Sequence, residues 1–324
     1  MVSVIIPFKN PMPYFEDCLN SVLNQSYNNL QIILINDGSI DNSLEIANKF
    51  KLRDQRIKVL ENEGIGIIDA LNTGSKLAKG KFITRMDADD LMSETKIEDL
   101  RNKLLEKKDA YIAVGKVSYF SSNKDMGSGY LNYAEWLNTL TSNTNNFEEL
   151  YKECTIPSSA WMMERKHFEK INGFQDLIYP EDYHFAFKVF YSGIKLTATS
   201  SIVHLWRDHP KRTSRNSKIY QFENFLTLKL KYFIEFEWKQ KRDLVLWGAG
   251  RKGKKIAEEL LKNRKQFLWI SNNKNKIGHF IYKQKIESEE LLKNESKKII
   301  ICAISEKQFT PPINTKFNSF FNFY

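Results

Sequence analysis

Cysteine is scarce: Cys18, Cys154 and Cys302 are the only three in 324 residues, and no two form a CxxC pair. That spacing suggests neither a disulfide framework nor a zinc cluster, and a reducing cytoplasm is the expected setting. Long apolar runs are missing as well. No stretch approaches the roughly 18 residues a membrane span needs, and the opening MVSVIIPFKN has neither the basic n-region nor the apolar length of a secretory leader. Glycine (14) and proline (8) are few while apolar residues make up 42%. This profile belongs to a folded chain able to bury a sizeable core, so disorder is not expected to dominate.

At roughly 100 to 200 residues per domain, this length suggests two unequal domains. The formal charge of +10 would attract nucleic acid, an anionic membrane face or a phosphorylated small substrate. The lysines, however, are spread over solvated helix faces such as RNKLLEKKD, with no recognition motif beside them, so nucleic acid is not expected as a partner.

What is present is a regular alternation. VSVIIPF and LQIILIND are short β-branched runs separated by a stretch in which Phe15, Leu19, Val22 and Leu23 share a helical face. A helix over DNSLEIANKF, a strand IKVL, a helix GIIDALNTGSKLAKG closed by Gly80 as C-cap, and a strand KFITRM follow. Strands and helices alternating in this way imply a parallel sheet and an α/β fold. Ligands of such sheets bind beyond the carboxyl ends of the strands, and those ends read PFKN, NDGSID and MDADD.

Clustered carboxylates repel unless a cation or hydrogen-bond donors neutralise them. On an extended segment Asp87 and Asp89 would face the same way, and Asp90 would point elsewhere or begin a turn. Two carboxylates with open positions suit magnesium or manganese, which keep waters and accept substrate phosphates. The competing reading of DADDL is an acidic turn starting the next helix.

VSVIIPFKN, LQIILINDGSIDNSLEIA, GIGIIDALNTGSKLAKGKFITRMDADD and the later GFQDLIYPEDYHF occur in the order seen in family 2 glycosyltransferases of the GT-A fold, and the first two-thirds of the chain resembles that family. The resemblance implies inverting transfer of a sugar from a nucleotide diphosphate donor. It places Pro7 and Asn10 beside the nucleotide, Asp37 on the base, Asp87 on the ribose or a metal-bound water, and Asp89 on Mn2+ or Mg2+. From the pair Glu181 and Asp182 it implies Asp182 as general base and Glu181 as an orienting group. LWRDHPKRTSR resembles a further family element, with Arg207 and His209 near the metal or diphosphate; His204 reads as structural. Many relatives carry an arginine where this chain has Leu71, and Arg85 or a lysine is the expected substitute in that phosphate contact. Some carry a histidine where it has Ile156. Trp161 reads as either a sugar-stacking platform or a buried strand residue.

After an aromatic-rich helical connector, LVLW leads into GAGRKGKKIAEELLKN. Gly248, Gly250 and Gly253 form GxGxxG between strand and helix, a loop able to cradle a phosphate. The next strand ends in Ser271, Asn272 and Asn273, not in the acid a dinucleotide ribose needs, and KIIICAIS supplies a third strand. The expected division is a GT-A catalytic domain over 1–215, a connector over 216–242 and a small Rossmann-like domain over 243–324. This last domain resembles modules after β-1,3-N-acetylglucosaminyltransferase-like relatives, in a structural, partner-binding or regulatory role.

The expected activity is sugar transfer, from a UDP-sugar by resemblance, to a glycan or lipid-linked saccharide in surface polysaccharide assembly. The alternatives are a silent nucleotide-sugar-binding regulator, against which the Asp87, Asp89 and Asp182 set argues, and an NAD(P)-binding protein, against which the missing acid argues. Aromatic and basic residues near 229–242 and in FNSFFNFY read as core, as an interface such as one with a second copy of the chain, or as a contact with the inner membrane face.

Overall fold

The computed structural model describes residues 1–121, 126–238, 242–293, 297–304 and 319–323. The chain packs as two compact units, Met1–Phe147 with Thr155–Ser217, and Glu148–Cys154 with Lys218–Tyr324.

The first unit opens with β1 (Val2–Phe8), α1 (Phe15–Leu23), β2 (Leu30–Asn36), α2 (Ser43–Arg53), β3 (Ile57–Glu61), α3 (Ile67–Lys76) and β4 (Phe82–Arg85). β1 and β2 are buried at all seven positions, as expected of parallel strands covered on both faces. Phe15, Cys18, Leu19 and Val22 recur at helical spacing and bury one face of α1. Then come β5 (Leu91–Met92), α4 (Lys96–Leu105), β6 (Tyr111–Phe120), α5 (Ser128–Asn143), β7 (Trp161–Glu164), α6 (Arg165–Lys170), α7 (Glu181–Tyr191), β8 (Lys195–Arg207) and α8 (Thr213–Asn216).

One eight-stranded sheet runs β3-β2-β1-β4-β7-β6-β8-β5. β3, β2, β1 and β4 are parallel, so their carboxyl ends share one edge, whereas β7 is antiparallel to both β4 and β6. The helix around residue 70 ends earlier than its sequence suggests: Leu77 caps α3, and Gly80 is not its C-cap. Gly80 instead lies against β1, where an added Cβ would come within 2.6 Å of the Ser3 backbone nitrogen.

The second unit holds α9 (Phe222–Tyr232), β9 (Asp243–Trp247), α10 (Arg251–Lys262), β10 (Leu268–Ser271), β11 (Phe280–Ile281), β12 (Gln284–Ser288), β13 (Lys298–Cys302) and β14 (Ser319–Asn322). Its sheet order is β11-β12-β10-β9-β13-β14, parallel except for β11. Only three of these strands were legible in sequence. Gln284–Ser288 is mostly polar and Ser319–Asn322 is a short run between polar residues, so neither shows as an apolar segment. The five parallel strands therefore extend past half a Rossmann fold, across the point where strand order reverses between β9 and β13.

The GxGxxG glycines have distinct packing roles. Gly248 has φ +118°, and a Cβ there would meet the Ala303 carbonyl oxygen at 2.9 Å. A Cβ on Gly253 would lie 1.9 Å from the Gly248 carbonyl oxygen, so only glycine lets α10 approach the loop; a Cβ on Gly250 would meet nothing within 4 Å. In the tail, β14 pairs with β13, and Phe323 is buried in a stack with Tyr151. Residues 317, 318 and 324 of FNSFFNFY lie outside the described residues, as do 239–241. Lys229 is also buried, its Nζ donating to the carbonyls of Lys152 and Phe323.

Candidate active site

The parallel edge of the first sheet gathers the polar strand ends. β1 runs out at Phe8, with Pro7 buried within the strand. Asn10, at φ +52°, accepts the Ile40 backbone N–H on its side-chain oxygen at 2.7 Å and donates its own N–H to Ser39, lacing the first strand end to the second. Asp37 follows β2. Its Oδ1 accepts Asn62 Nδ2 at 2.7 Å and the Gly66 N–H at 2.9 Å, and its Oδ2 accepts Lys9 Nζ at 3.2 Å. A carboxylate held by three donors is fixed in direction and ready to receive a further donor at the strand edge. Lys9 and Asn62 were not singled out from sequence, although Asn62 sits just past the end of β3, where the sheet-end rule points.

Beyond β4 the chain does not stay extended. Asp90 donates its N–H to the Asp87 carbonyl at 3.3 Å, closing a turn in which the three carboxylates meet different partners. The expectation of an extended segment through Asp87 and Asp89 is thus corrected: the strand ends at Arg85 and a turn follows. Asp87 takes Arg85 Nη2 at 2.5 Å on Oδ1 and the Ser158 hydroxyl at 3.2 Å on Oδ2. Burial alone would raise its pKa, but the Arg85 guanidinium prevails and holds it at about 2. Asp89 lies 2.9 Å from His209 Nε2, and that imidazole packs against Tyr14. Arg207 donates Nε to the Asp89 carbonyl at 2.9 Å and Nη2 to Asp17 at 3.0 Å, so it braces the turn through its backbone.

Asp90 does more than start a turn. It is 2% exposed and accepts the Arg207 N–H at 2.7 Å on Oδ1 while its Oδ2 lies 3.0 Å from His204 Nε2. His204 Nδ1 lies 3.5 Å from Lys96 Nζ, which also donates to the Ser159 carbonyl. When Lys96 is charged it can only donate, and Nδ1 then accepts, leaving the ring proton on Nε2 facing Asp90. Burial, reinforced by the Lys96 charge, depresses the His204 pKa well below its ordinary value; burial also brings Lys96 to about 7. Burial, then the Asp89 and Asp87 charges, raise Asp90. This Asp90, His204, Lys96 chain lies beneath the turn, and Lys96 carries no sequence signal that separates it from surface lysines.

Glu181 and Asp182 begin α7. Glu181 is buried and meets Arg85 Nη1 at 3.1 Å, while Asp182 is half-buried and accepts the Tyr183 N–H at 2.7 Å. Burial first, then the neighbouring Glu181 charge, raise the Asp182 carboxyl to about 7; Arg85 pulls it the other way. A carboxylate of that proton affinity suits proton abstraction near neutral pH.

Trp161 is not a sugar platform. It is 2% exposed in β7 and packed against Phe168, Phe174 and Phe185. Leu71 and Ile156 are likewise buried. Gly248, Gly250 and Gly253 belong to the other unit.

Residues 3–172 match the profile described as Glycosyl transferase family 2, more than half of the chain. The chain belongs to glycosyl transferase family 2. An uncharacterized glycosyltransferase of Haemophilus influenzae is 33% identical over 237 residues, 71% of each chain. Glycosyltransferase GlyG of Streptococcus pneumoniae is 40% identical over 132 residues, 40% of this chain; the chain spans only 42% of that relative's length. Among solved structures, residues 1–349 of S. aureus TarS in complex with UDP-GlcNAc superpose with a TM-score of 0.55 at 17% identity, covering 80% of this chain and 71% of that one. The mannosyltransferase PcManGT of Pyrobaculum calidifontis, in complex with GDP-Man and Mn2+, gives 0.51 at 18% identity over 72% and 63%. At such identities these likenesses show the fold, a GT-A-like glycosyltransferase domain.

The donor set also fits a divalent cation within limits. Asp89 offers a hard carboxylate oxygen of the kind that suits magnesium or manganese, and the His209 imidazole lies beside it at 2.9 Å. No group of three or more metal-binding side chains gathers among the described residues, so diphosphate oxygens and water would have to complete the shell. No helix among the described residues is long and apolar enough to cross a membrane.

Proposed function

We propose that the protein is an inverting, metal-dependent glycosyltransferase that moves a sugar from a nucleotide diphosphate donor, a UDP-sugar, to a hydroxyl of a glycan or lipid-linked saccharide in surface polysaccharide assembly. The observation that carries this reading is the convergence in one unit of a nucleotide edge (Asp37), a metal-competent pair (Asp89 with His209) and a carboxylate of raised proton affinity (Asp182). The UDP-GlcNAc bound to the TarS fold and the Mn2+ bound to PcManGT support the donor and metal classes. A 98-residue match, 36% identical, to chondroitin synthase of Pasteurella multocida supports the polysaccharide class.

In this reading Asp37 accepts from the nucleobase, Asn10 shapes the loop beside it, and Asp87 reaches the ribose. Asp89 and His209 hold the cation, which when bound neutralises charge gathering on the departing diphosphate. Asp182 takes the proton of the acceptor hydroxyl as its oxygen bonds to the anomeric carbon, while the bond from that carbon to the diphosphate oxygen breaks and the nucleotide diphosphate leaves. Attack from the face opposite the leaving group inverts the anomeric centre. The Gly248 loop of the second unit serves a structural, partner-binding or regulatory phosphate role.

The test is to incubate purified protein with manganese and a panel of nucleotide sugars, with and without saccharide acceptors, and to measure nucleotide diphosphate release. Acceptor-stimulated release abolished by chelation is expected. Release indifferent to chelation would remove the metal from the mechanism, and no release with any donor would overturn the reading.

A further inference from the structure

We propose that Arg85 is a positioning residue that ties the donor side of the site to the acceptor side, an inference that rests on the glycosyl-transfer reading above. Arg85 ends β4, the strand that delivers the acidic turn, and its side chain is 5% exposed. One guanidinium nitrogen, Nη2, meets Asp87 Oδ1 at 2.5 Å; the other, Nη1, meets Glu181 Oε1 at 3.1 Å, and the guanidinium carbon lies 6.0 Å from the centre of the Phe174 ring. The two carboxylates are 94 positions apart in sequence and sit on different elements, the turn after β4 and the first residue of α7. Asp87 belongs to the donor machinery, and Glu181 precedes the base, Asp182.

A planar guanidinium serves two carboxylates from fixed directions at once, whereas the three donors of an ammonium rotate freely and fix the direction of neither. The geometry accordingly makes Arg85 the common reference for both halves of the reaction. It sets where the donor carboxylate stands and, through Glu181, where α7 presents Asp182. Sugar transfer to a saccharide requires the anomeric carbon, the acceptor oxygen and the base to be aligned together. Hydrolysis of the same donor by water needs no placed acceptor and tolerates a misplaced α7 better. Loosening the bridge should therefore lower transfer more than hydrolysis.

The experiment compares wild type with Arg85→Lys, which keeps a cation but not the fork, and with Glu181→Gln, which keeps the shape but releases the bridge from the other end. For each, transfer to saccharide and acceptor-independent hydrolysis of the same nucleotide sugar are measured with manganese, alongside manganese-supported UDP binding by thermal shift. Glu181→Gln, which leaves the Arg85–Asp87 contact in place, is expected to bind UDP within about 3-fold of wild type, and both variants are expected to lose transfer roughly 10- to 100-fold, the size of effect a small misplacement produces. The transfer-to-hydrolysis ratio should fall about 10-fold or more by the same argument. Transfer and hydrolysis falling in proportion, or neither falling, would overturn the role of Arg85 while leaving the glycosyl-transfer reading standing. A wild-type protein that neither binds UDP nor turns over any nucleotide sugar would overturn that reading, and this inference with it.

Discussion

Asp182 ties proton affinity to function most directly. Because burial and the Glu181 charge raise its pKa to about 7, the proposed base is half protonated near neutrality. The acid limb of the kcat profile should fall near pH 7, with activity rising as pH increases. The same shift has a stability consequence of definite sign. A carboxyl whose folded pKa lies above its unfolded value near 4 stabilises the fold while protonated, and that contribution is lost as pH rises from about 4 through 7. Asp182→Asn should therefore raise the melting temperature at pH 8.5, by about 2–4 °C per kcal/mol recovered, and change it little at pH 4. A second residue-level prediction concerns His209. If its Nε2 and Asp89 share the cation, His209→Ala should weaken manganese-supported UDP binding roughly 10- to 100-fold by calorimetry. UDP binding measured without metal should change much less.

Elements explain what the sequence could and could not show. β1, β2 and β4 are rich in apolar and β-branched residues, buried throughout and followed by polar loops, so the parallel sheet and the placing of Asp37, Asp87 and Asp89 at its edge were readable by position. The direction of each carboxylate was not, because it depends on a turn closed by one backbone hydrogen bond and on long-range partners such as Ser158 and His209. Arg85 reads in sequence only as a candidate phosphate contact, and its bridge to Glu181 is not legible for the same reason, since that partner lies 96 residues away. In the second unit, the GxGxxG was legible, but its physical demand is unequal. Gly253→Ala places a methyl against the Gly248 carbonyl, a backbone group that cannot swing away, and should cost about 1–3 kcal/mol or more in urea unfolding of that unit. Gly250→Ala, in open space at extended φ and ψ, should cost less than about 1 kcal/mol by the same measurement.

At the scale of the whole molecule, one unit carries a sheet whose edge is chemically armed and the other a parallel sheet with the segment Glu148–Cys154 packed into it, a long-range inclusion that no local pattern announces. Donor binding confined to the native state should raise the melting temperature with UDP and manganese together. At 100 times the dissociation constant the gain is about 2.7 kcal/mol. The proposed mechanism divides labour between donor carboxylates and a separate base. It is tested by steady-state kinetics of Asp182→Asn against wild type with the preferred nucleotide sugar, manganese and a saccharide acceptor. The expected result is a donor KM within about 3-fold of wild type and a kcat lowered roughly 10²- to 10⁴-fold, the usual contribution of a general base. Sugar transfer by the Asp182→Asn variant at the wild-type rate would contradict it.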